Sequence, residues 1–382
     1  MVSQLGGNIR LLWYIPGFEP HLLRPCSIRA LAIGKALTRC NEISFVGIVS
    51  PQINVTIQLS DKFELISLSK NPLLIFSQLI NIVKDKDINL VQERLGCHYL
   101  FSDWGIIAGN YMGLPIIGEL HEYPPTFISK VLANIRLKHS LKICDILFVI
   151  NKTILQHLPL QQEELKKTLK KVFLIPNGYD ATIFNYLTNI RPERATFSIN
   201  KKLVGYFGDL NENKGVNVIL DLIQHVNNHF FFLIAGRGQL EKDVKRLSQA
   251  FPNKCRYLGY LRPQEVYFLM SVCDATVALY PQWFKKGWPQ YNNPLKVYES
   301  LAMGTPVVIS EPTLPMLPQE IANLCVVVSG TNLKELFDAL DVACRRKADK
   351  ASMSAVMRKY SWDHIANNIL IPIYEKLTTN VL

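Results

Sequence analysis

The residues best suited to chemistry lie in the stretch from Tyr291 to Val308, which reads YNNPLKVYESLAMGTPVV. Asn293 is of a type that caps a helix, since its side-chain oxygen can accept from free amides of the first turn. Pro294 is then at the first helical position, where proline is best tolerated. Gly304 suits a left-handed helix stop, and the β-branched run from Thr305 to Ile309 reads as a buried strand. Free amides at a helix start attract anions. With Lys296 one turn from that start and Glu299 one to two turns in, the segment could face a phosphate and accept from nearby hydroxyls. The plainer reading is a capped surface helix packed on a sheet.

Three more loops carry candidate groups. Lys214 ends the polar run Asp209–Lys214 and precedes an apolar helix, where the helix dipole disfavours a cation unless an anion is met there. Gly236-Arg237-Gly238 follows an apolar strand, and such a turn lets backbone approach a ligand closely or simply joins strand to helix. His121 follows the run from Pro115 to Leu120, where it could donate to a substrate hydroxyl or a departing phosphate, or serve structure alone. Asp85-Lys86-Asp87 precedes a strand and reads as a polar loop, not as a metal site. The sequence contains no P-loop lysine motif, no Gly-x-Ser-x-Gly elbow and no His-Glu-x-x-His helix.

Loops like these need a scaffold that ends strands side by side. Apolar strand-like runs alternate with helical stretches twice along the chain, from Ile9 to Ile175 and from Leu203 to Val328. Such alternation predicts parallel sheets covered on both faces. The expected architecture is α/β, with two doubly wound Rossmann-like domains facing across a cleft. Asn185–Lys202 is polar, contains Pro192 and reads as the linker. The domains are therefore placed at residues 1–190 and 191–360, with helices in 361–382 returning to the first.

A chain of 382 residues with 48% hydrophobic and 19% charged content is globular and long enough for two cores. No run approaches the roughly 20 apolar residues of a membrane span, and no signal peptide is evident at the start. The eight cysteines are scattered, without metal-ligand spacing, and read as reduced residues of a cytoplasmic protein. The net charge of +11 favours a phosphate-bearing partner. Its lysines and arginines form local clusters (Lys130–Lys142, Lys166–Lys171, Lys285-Lys286, Arg345–Lys347) and no nucleic-acid motif, so nucleic acid is not an expected partner. The acid-free stretch Ile128–Lys142 reads as a basic surface helix, with peripheral docking to an anionic inner membrane face as the alternative.

Taken together, several segments resemble glycosyltransferase family 4, the GT-B-fold group of retaining, nucleotide-sugar-dependent transferases. The resembling segments are Val172–Phe184 with Asn177-Gly178 and Asp180, Leu203–Gly215, Arg256–Gly259 with Asp274–Tyr280, Asn293–Val308 and Tyr360–Tyr374. The resemblance implies that Lys214 pairs with the donor diphosphate, Glu299 accepts from the ribose hydroxyls and His121 contacts the donor sugar. It implies donor-binding roles for Gly17, Gly208, Tyr260, Asn293, Pro294, Leu295 and Lys296, with Pro16-Gly17 closing over the donor and backbone at Tyr260 facing the base. Two positions depart from the pattern. Tyr291 stands where most members carry a first glutamate, and Asp209 stands where most carry an arginine; Arg237 is a candidate to supply that charge.

These readings lead to a metal-independent, cofactor-free retaining transferase using a nucleoside-diphosphate sugar and a saccharide or lipid-linked acceptor in polysaccharide or glycolipid assembly. The rival readings are a catalytically silent sugar-nucleotide-binding scaffold subunit and a GT-B-fold epimerase. Acceptor choice is assigned to the loops His21–Arg29 and Tyr123–Lys142.

Overall fold

The computed structural model describes residues 8–20, 25–95, 103–121, 127–156, 172–190, 200–226, 228–280, 293–330, 332–346 and 350–379. Tyr291, Lys285-Lys286, Lys166–Lys171 and parts of the loops assigned to acceptor choice lie outside the described residues. The chain divides into two compact units, Met1–Pro176 with Trp362–Leu382, and Asn177–Ser361. The sequence places these divisions at 190/191 and 360/361, and a helix at Ala181–Ile190 overlaps the start of the expected linker Asn185–Lys202.

The first unit is built on an eight-stranded sheet in the order β3-β4-β2-β1-β5-β6-β7-β8. The strands are β1 (Ile9–Tyr14), β2 (Ile43–Ser50), β3 (Ile57–Ser60), β4 (Phe63–Ser67), β5 (Leu90–Arg94), β6 (Ile116–Leu120), β7 (Ile146–Val149) and β8 (Val172–Leu174). All pair in parallel except β3, an exposed edge strand antiparallel to β4. Periodicity did not predict β3, whose IQLS sequence buries neither face. The C-terminal helices belong to this unit. Trp362 lies under the Arg29 guanidinium, 5.4 Å from ring centroid, and Tyr374 Oη donates to Gln92 Oε1 at 2.7 Å.

The second unit has a six-stranded parallel sheet in the order β11-β10-β9-β12-β13-β14. Its strands are β9 (Lys202–Phe207), β10 (Phe230–Ala235), β11 (Cys255–Tyr257), β12 (Ala275–Ala278), β13 (Val307–Ser310) and β14 (Val326–Val328). β10 reads FFFLIA and is buried throughout, as a central parallel strand covered on both faces must be. One core packs Leu203, Leu233 and Val307 with the helices at Pro263–Val272 and Leu295–Ala302. The other packs Val204, Phe232 and Val308 with the helices at Val216–His225 and Leu333–Arg346. Neighbouring residues of β9, Leu203 and Val204, thus face opposite cores. The strand order reverses between β9 and β12, and at such a point the loops beyond the strand ends part and leave room for a ligand.

Candidate functional site

The loops after β9, β10 and β11 are tied together by backbone. Gly208 N donates to Ala235 O, Gly236 N to Gly259 O and Leu210 N to Arg237 O, at 2.8–3.0 Å. Gly236 has φ +147°, and a Cβ built on it would lie 1.8 Å from Gly208 O. The Gly-x-Gly turn therefore exists for close approach of two strand-end loops, whatever ligand it meets.

Beyond Gly208 the chain makes one tight turn, Glu212–Lys214, closed by Gly215 at φ +75° before the helix at Val216–His225. This aims Lys214 at the reversal point. Its Nζ is 5.7 Å from the centroid of Tyr280, just past the end of β12. Lys296 comes from the other side. Its Nζ is 4.1 Å from the ring centroid of Tyr206 in β9 and 2.9 Å from where a Gly208 Cβ would be. Gly208 thus leaves room for a cation.

The helix bearing Lys296 and Glu299 runs from Leu295 to Ala302, and this corrects the expected cap. Pro294 precedes the helix in extended backbone (φ −76°, ψ 114°), and no side chain caps it. The Asn293 side chain turns inward instead, donating to Tyr298 Oη at 3.0 Å, while Asn177 Nδ2 donates to Asn293 O at 2.6 Å. Asn293 therefore anchors the helix start through its carbonyl and amide. At the other end Gly304 takes the left-handed stop at φ +69°. Ser300 Oγ meets Thr276 Oγ1 of β12 at 2.6 Å and donates to Thr305 O, and Thr305 Oγ1 donates to Met270 O at 2.7 Å. Buried hydrogen bonds of this kind contribute about 1 kcal/mol each, and here they hold the helix in register on the sheet.

Lys214, Asp209 and Glu299 all act electrostatically on Lys296. Burial, then the charge of Lys214, pulls the Lys296 ammonium down to about 7, against the opposing pull of Asp209 and Glu299. Burial pushes the Glu299 carboxyl up to about 7, against Lys296 and a 3.5 Å contact from Tyr267 Oη. A lysine whose charge is disfavoured by burial and by a second lysine at a strand mouth gains by receiving an anion. Arg237 is placed differently: it is exposed and stacks on Tyr260, with its guanidinium carbon 4.5 Å from the ring centroid.

His121 and Gly17 belong to the first unit. Gly17 lies in the turn after β1, where Ser50 Oγ donates to Pro16 O at 3.2 Å. His121 directly follows β6, with its Nε2 2.6 Å from Glu119 Oε1. Arg29 was grouped with an acceptor loop in the sequence reading, but it is buried and donates to Pro176 O and Glu119 Oε1.

Residues 201–344 match the model of a family described as Glycosyl transferases group 1. Anabaena Alr3699/HepE, solved with UDP and glucose, superposes with a TM-score of 0.65 at 15% identity, covering 96% of this chain and 100% of that one. The α,α-trehalose 6-phosphate synthase from Burkholderia multivorans superposes with a TM-score of 0.65 at 9% identity, covering 98% and 100%. The lipopolysaccharide outer core galactosyltransferase WaaB gives 0.59 at 11%, covering 97% and 100%. The fold is that of GT-B glycosyltransferases. No curated protein sequence matches the chain.

Within this GT-B chain, one unit therefore brings together Gly208, Lys214, Leu295, Lys296 and Glu299, and the other holds Gly17 and His121. Sequence reasoning missed the aromatic walls Tyr206 and Tyr280, which look like ordinary core residues in apolar runs. It also missed Glu119. The signal was available, since a carboxylate inside the buried run IIGEL must have partners.

Proposed function

We propose that the protein is a retaining glycosyltransferase that moves a sugar from a nucleoside-diphosphate sugar to a saccharide or lipid-linked acceptor, in polysaccharide or glycolipid assembly. The observation that carries this is the gathering of Lys214, Lys296 and Glu299 at the β9/β12 reversal point, within the segment that matches a glycosyltransferase family. A bound UDP in Alr3699/HepE supports a nucleoside diphosphate as the ligand class.

In this reading the two ammonium groups and the first amides of the helix at Leu295–Ala302 meet the diphosphate. They stabilise it more strongly as charge builds on the leaving oxygen. Glu299 accepts from the ribose hydroxyls. The sugar passes through an oxocarbenium-like state, and front-face attack gives retention, with the leaving phosphate oxygen taking the acceptor proton. Lys296 supplies the cation that Asp209 does not. Among the described residues no helix is long and apolar enough to cross a membrane, and contact with a membrane-borne acceptor would be peripheral.

Incubation with UDP-, GDP- and ADP-sugars and a panel of saccharide and lipid-linked acceptors tests the reading. Transfer with the donor's anomeric configuration kept is expected. Asp209, an exposed acid beside the phosphate loop, favours a second reading as a sugar-nucleotide-binding subunit without turnover. Tight nucleotide binding with no product across the panel would establish that one instead. Conversion of the donor sugar without acceptor would identify an epimerase.

The coupled lysine and glutamate make binding pH-dependent with a change of sign. Bound diphosphate favours protonated Lys296, and ribose hydroxyls favour ionised Glu299. At pH 8, above both values of about 7, Lys296 is neutral in the free protein and must take up a proton. At pH 6 Glu299 carries a proton and must release it. Calorimetry in buffers of unlike ionisation enthalpy should show uptake at pH 8 and release at pH 6. Equal proton counts at both pH values would contradict the assignment.

A further inference from the structure

A chain of buried hydrogen bonds in the first unit leads to His121, and its direction is set from the far end. Tyr374 Oη, on the C-terminal helix at Ile371–Thr378, donates to Gln92 Oε1 at 2.7 Å. A phenol that donates there fixes the amide, so Gln92 Nε2 points at Glu119 Oε2, 3.1 Å away. The Arg29 guanidinium adds a donor to Glu119 Oε1 at 3.2 Å, within an ion pair whose side chains are 3% and 2% exposed. Glu119 thus receives hydrogen from two sides and has only acceptor positions left for a third neighbour. That neighbour is His121 Nε2 at 2.6 Å. For this contact to be a hydrogen bond, Nε2 must carry the proton. Among the described residues, Nδ1 of His121 makes no hydrogen bond.

We propose that Glu119 is a positioning residue which, oriented by Arg29, Gln92 and Tyr374, holds His121 as the neutral Nε2–H tautomer, so that Nδ1 presents a lone pair to a hydroxyl of the sugar substrate. This deepens the glycosyltransferase reading and rests on it for the identity of the substrate. It reverses the sequence expectation of a histidine that donates. An imidazole fixed in this way neither protonates a leaving group nor pairs with a phosphate; it accepts from a sugar O–H.

The charges around the ring agree with the neutral form. Burial lowers the His121 imidazolium to about 4, Arg94 and Arg29 push the same way, and Glu119 opposes them. Burial works against the Glu119 carboxylate, but the hydrogen bond from neutral His121 and the charges of Arg29 and Arg94 favour the ionised form and hold the group below the ordinary range. Ionised Glu119 balances buried arginine charge, so a second positive charge on His121 is not needed. Tyr374 stays a phenol, pushed up first by burial and then by Glu119, and so remains a donor.

Nitrogen-15 histidine spectra of the full-length protein, with His121 assigned by its loss in His121→Gln, test the lock without any turnover. Expected is a single Nε2–H tautomer whose shifts do not change from pH 5.5 to 8. An Nδ1–H tautomer, or titration with a midpoint between pH 6 and 7, would overturn the proposal even if the protein transfers sugar. Glu119→Gln, whose amide can also donate, should mix the tautomers. It should also raise KM for the donor sugar by about tenfold, the loss of one well-formed hydrogen bond, with a smaller effect on kcat. Should Glu119→Gln fail to fold, Tyr374→Phe removes the donor at the head of the chain and should broaden the His121 signals alone. An unchanged single tautomer in Tyr374→Phe, with KM unchanged, would reduce the chain to packing. Absence of any sugar-nucleotide turnover would refute the functional reading while leaving the spectroscopic result in force.

Discussion

Lys214→Ala is expected to lower kcat/KM for the sugar nucleotide by about 10²–10³, the typical cost of removing one preorganised donor to developing negative charge. The lysine lies at the sheet reversal, beside the Tyr280 ring and within electrostatic reach of Lys296. Its charge acts in a partly dehydrated setting, where it counts for more than in water. The fold should not suffer. Lys214 is half-buried at the end of a short turn, and its backbone amide still donates to Asn211 O at 3.0 Å after truncation. The melting temperature should move by no more than about 2 °C, as for a surface change. Removing Lys214 also removes the second-largest influence lowering Lys296, so Lys296 becomes more fully protonated and recovers part of the loss. Steady-state kinetics on sugar-nucleotide cleavage read the effect, and wild-type kcat/KM in the variant would remove Lys214 from the site.

Gly215→Ala carries the largest expected effect on stability. A left-handed residue with a side chain costs about 1–2 kcal/mol, and here the added Cβ would lie 1.5 Å from Leu279 O, a backbone atom that cannot swing away. The loop after β9 would have to lift off the end of β12. A total of about 3 kcal/mol corresponds to a fall of roughly 6–12 °C in the melting of the second unit. Gly259→Ala supplies the comparison. Its φ of +73° is nearly the same, but nothing lies within 4 Å of the added Cβ, so only the conformational part of about 1 kcal/mol is due. Differential scanning calorimetry should separate the two variants clearly; equal melting temperatures would show that the contact with Leu279 is relieved at no cost.

Much of this architecture was legible because parallel strands buried on both faces leave continuous apolar runs. Phe230–Ala235 was readable residue for residue for that reason. Strand β3 was not legible, because an exposed edge strand carries no burial pattern. It pairs antiparallel to β4 with a register irregularity between Gln58 and Ser60. At the site, Lys214 stands out because a cation at a helix start runs against the dipole, and Glu299 because it lies one to two turns from a helix start able to face a phosphate. Asn293 illustrates the limit of local rules. Capping propensity places its side chain on the first turn, but that side chain donates to the buried Tyr298 hydroxyl instead, while its main-chain carbonyl accepts from the Asn177 amide. Those partners come from one turn ahead and from more than a hundred positions away, and no short window contains both. Glu119 is intermediate: its burial could be read from the run IIGEL, but its partners Arg29 and Gln92 come from distant elements, and only His121 lies nearby in sequence.

The central claim is that one nucleoside diphosphate is held jointly by Lys214, Lys296 and Glu299. A crystal structure of the protein with whichever of UDP, GDP or ADP raises its melting temperature most tests this directly. The account predicts the phosphates against both lysine Nζ atoms and the amide of Leu295, with the ribose hydroxyls on the Glu299 carboxylate. A nucleotide seated elsewhere, or one whose phosphates approach neither lysine, would contradict it.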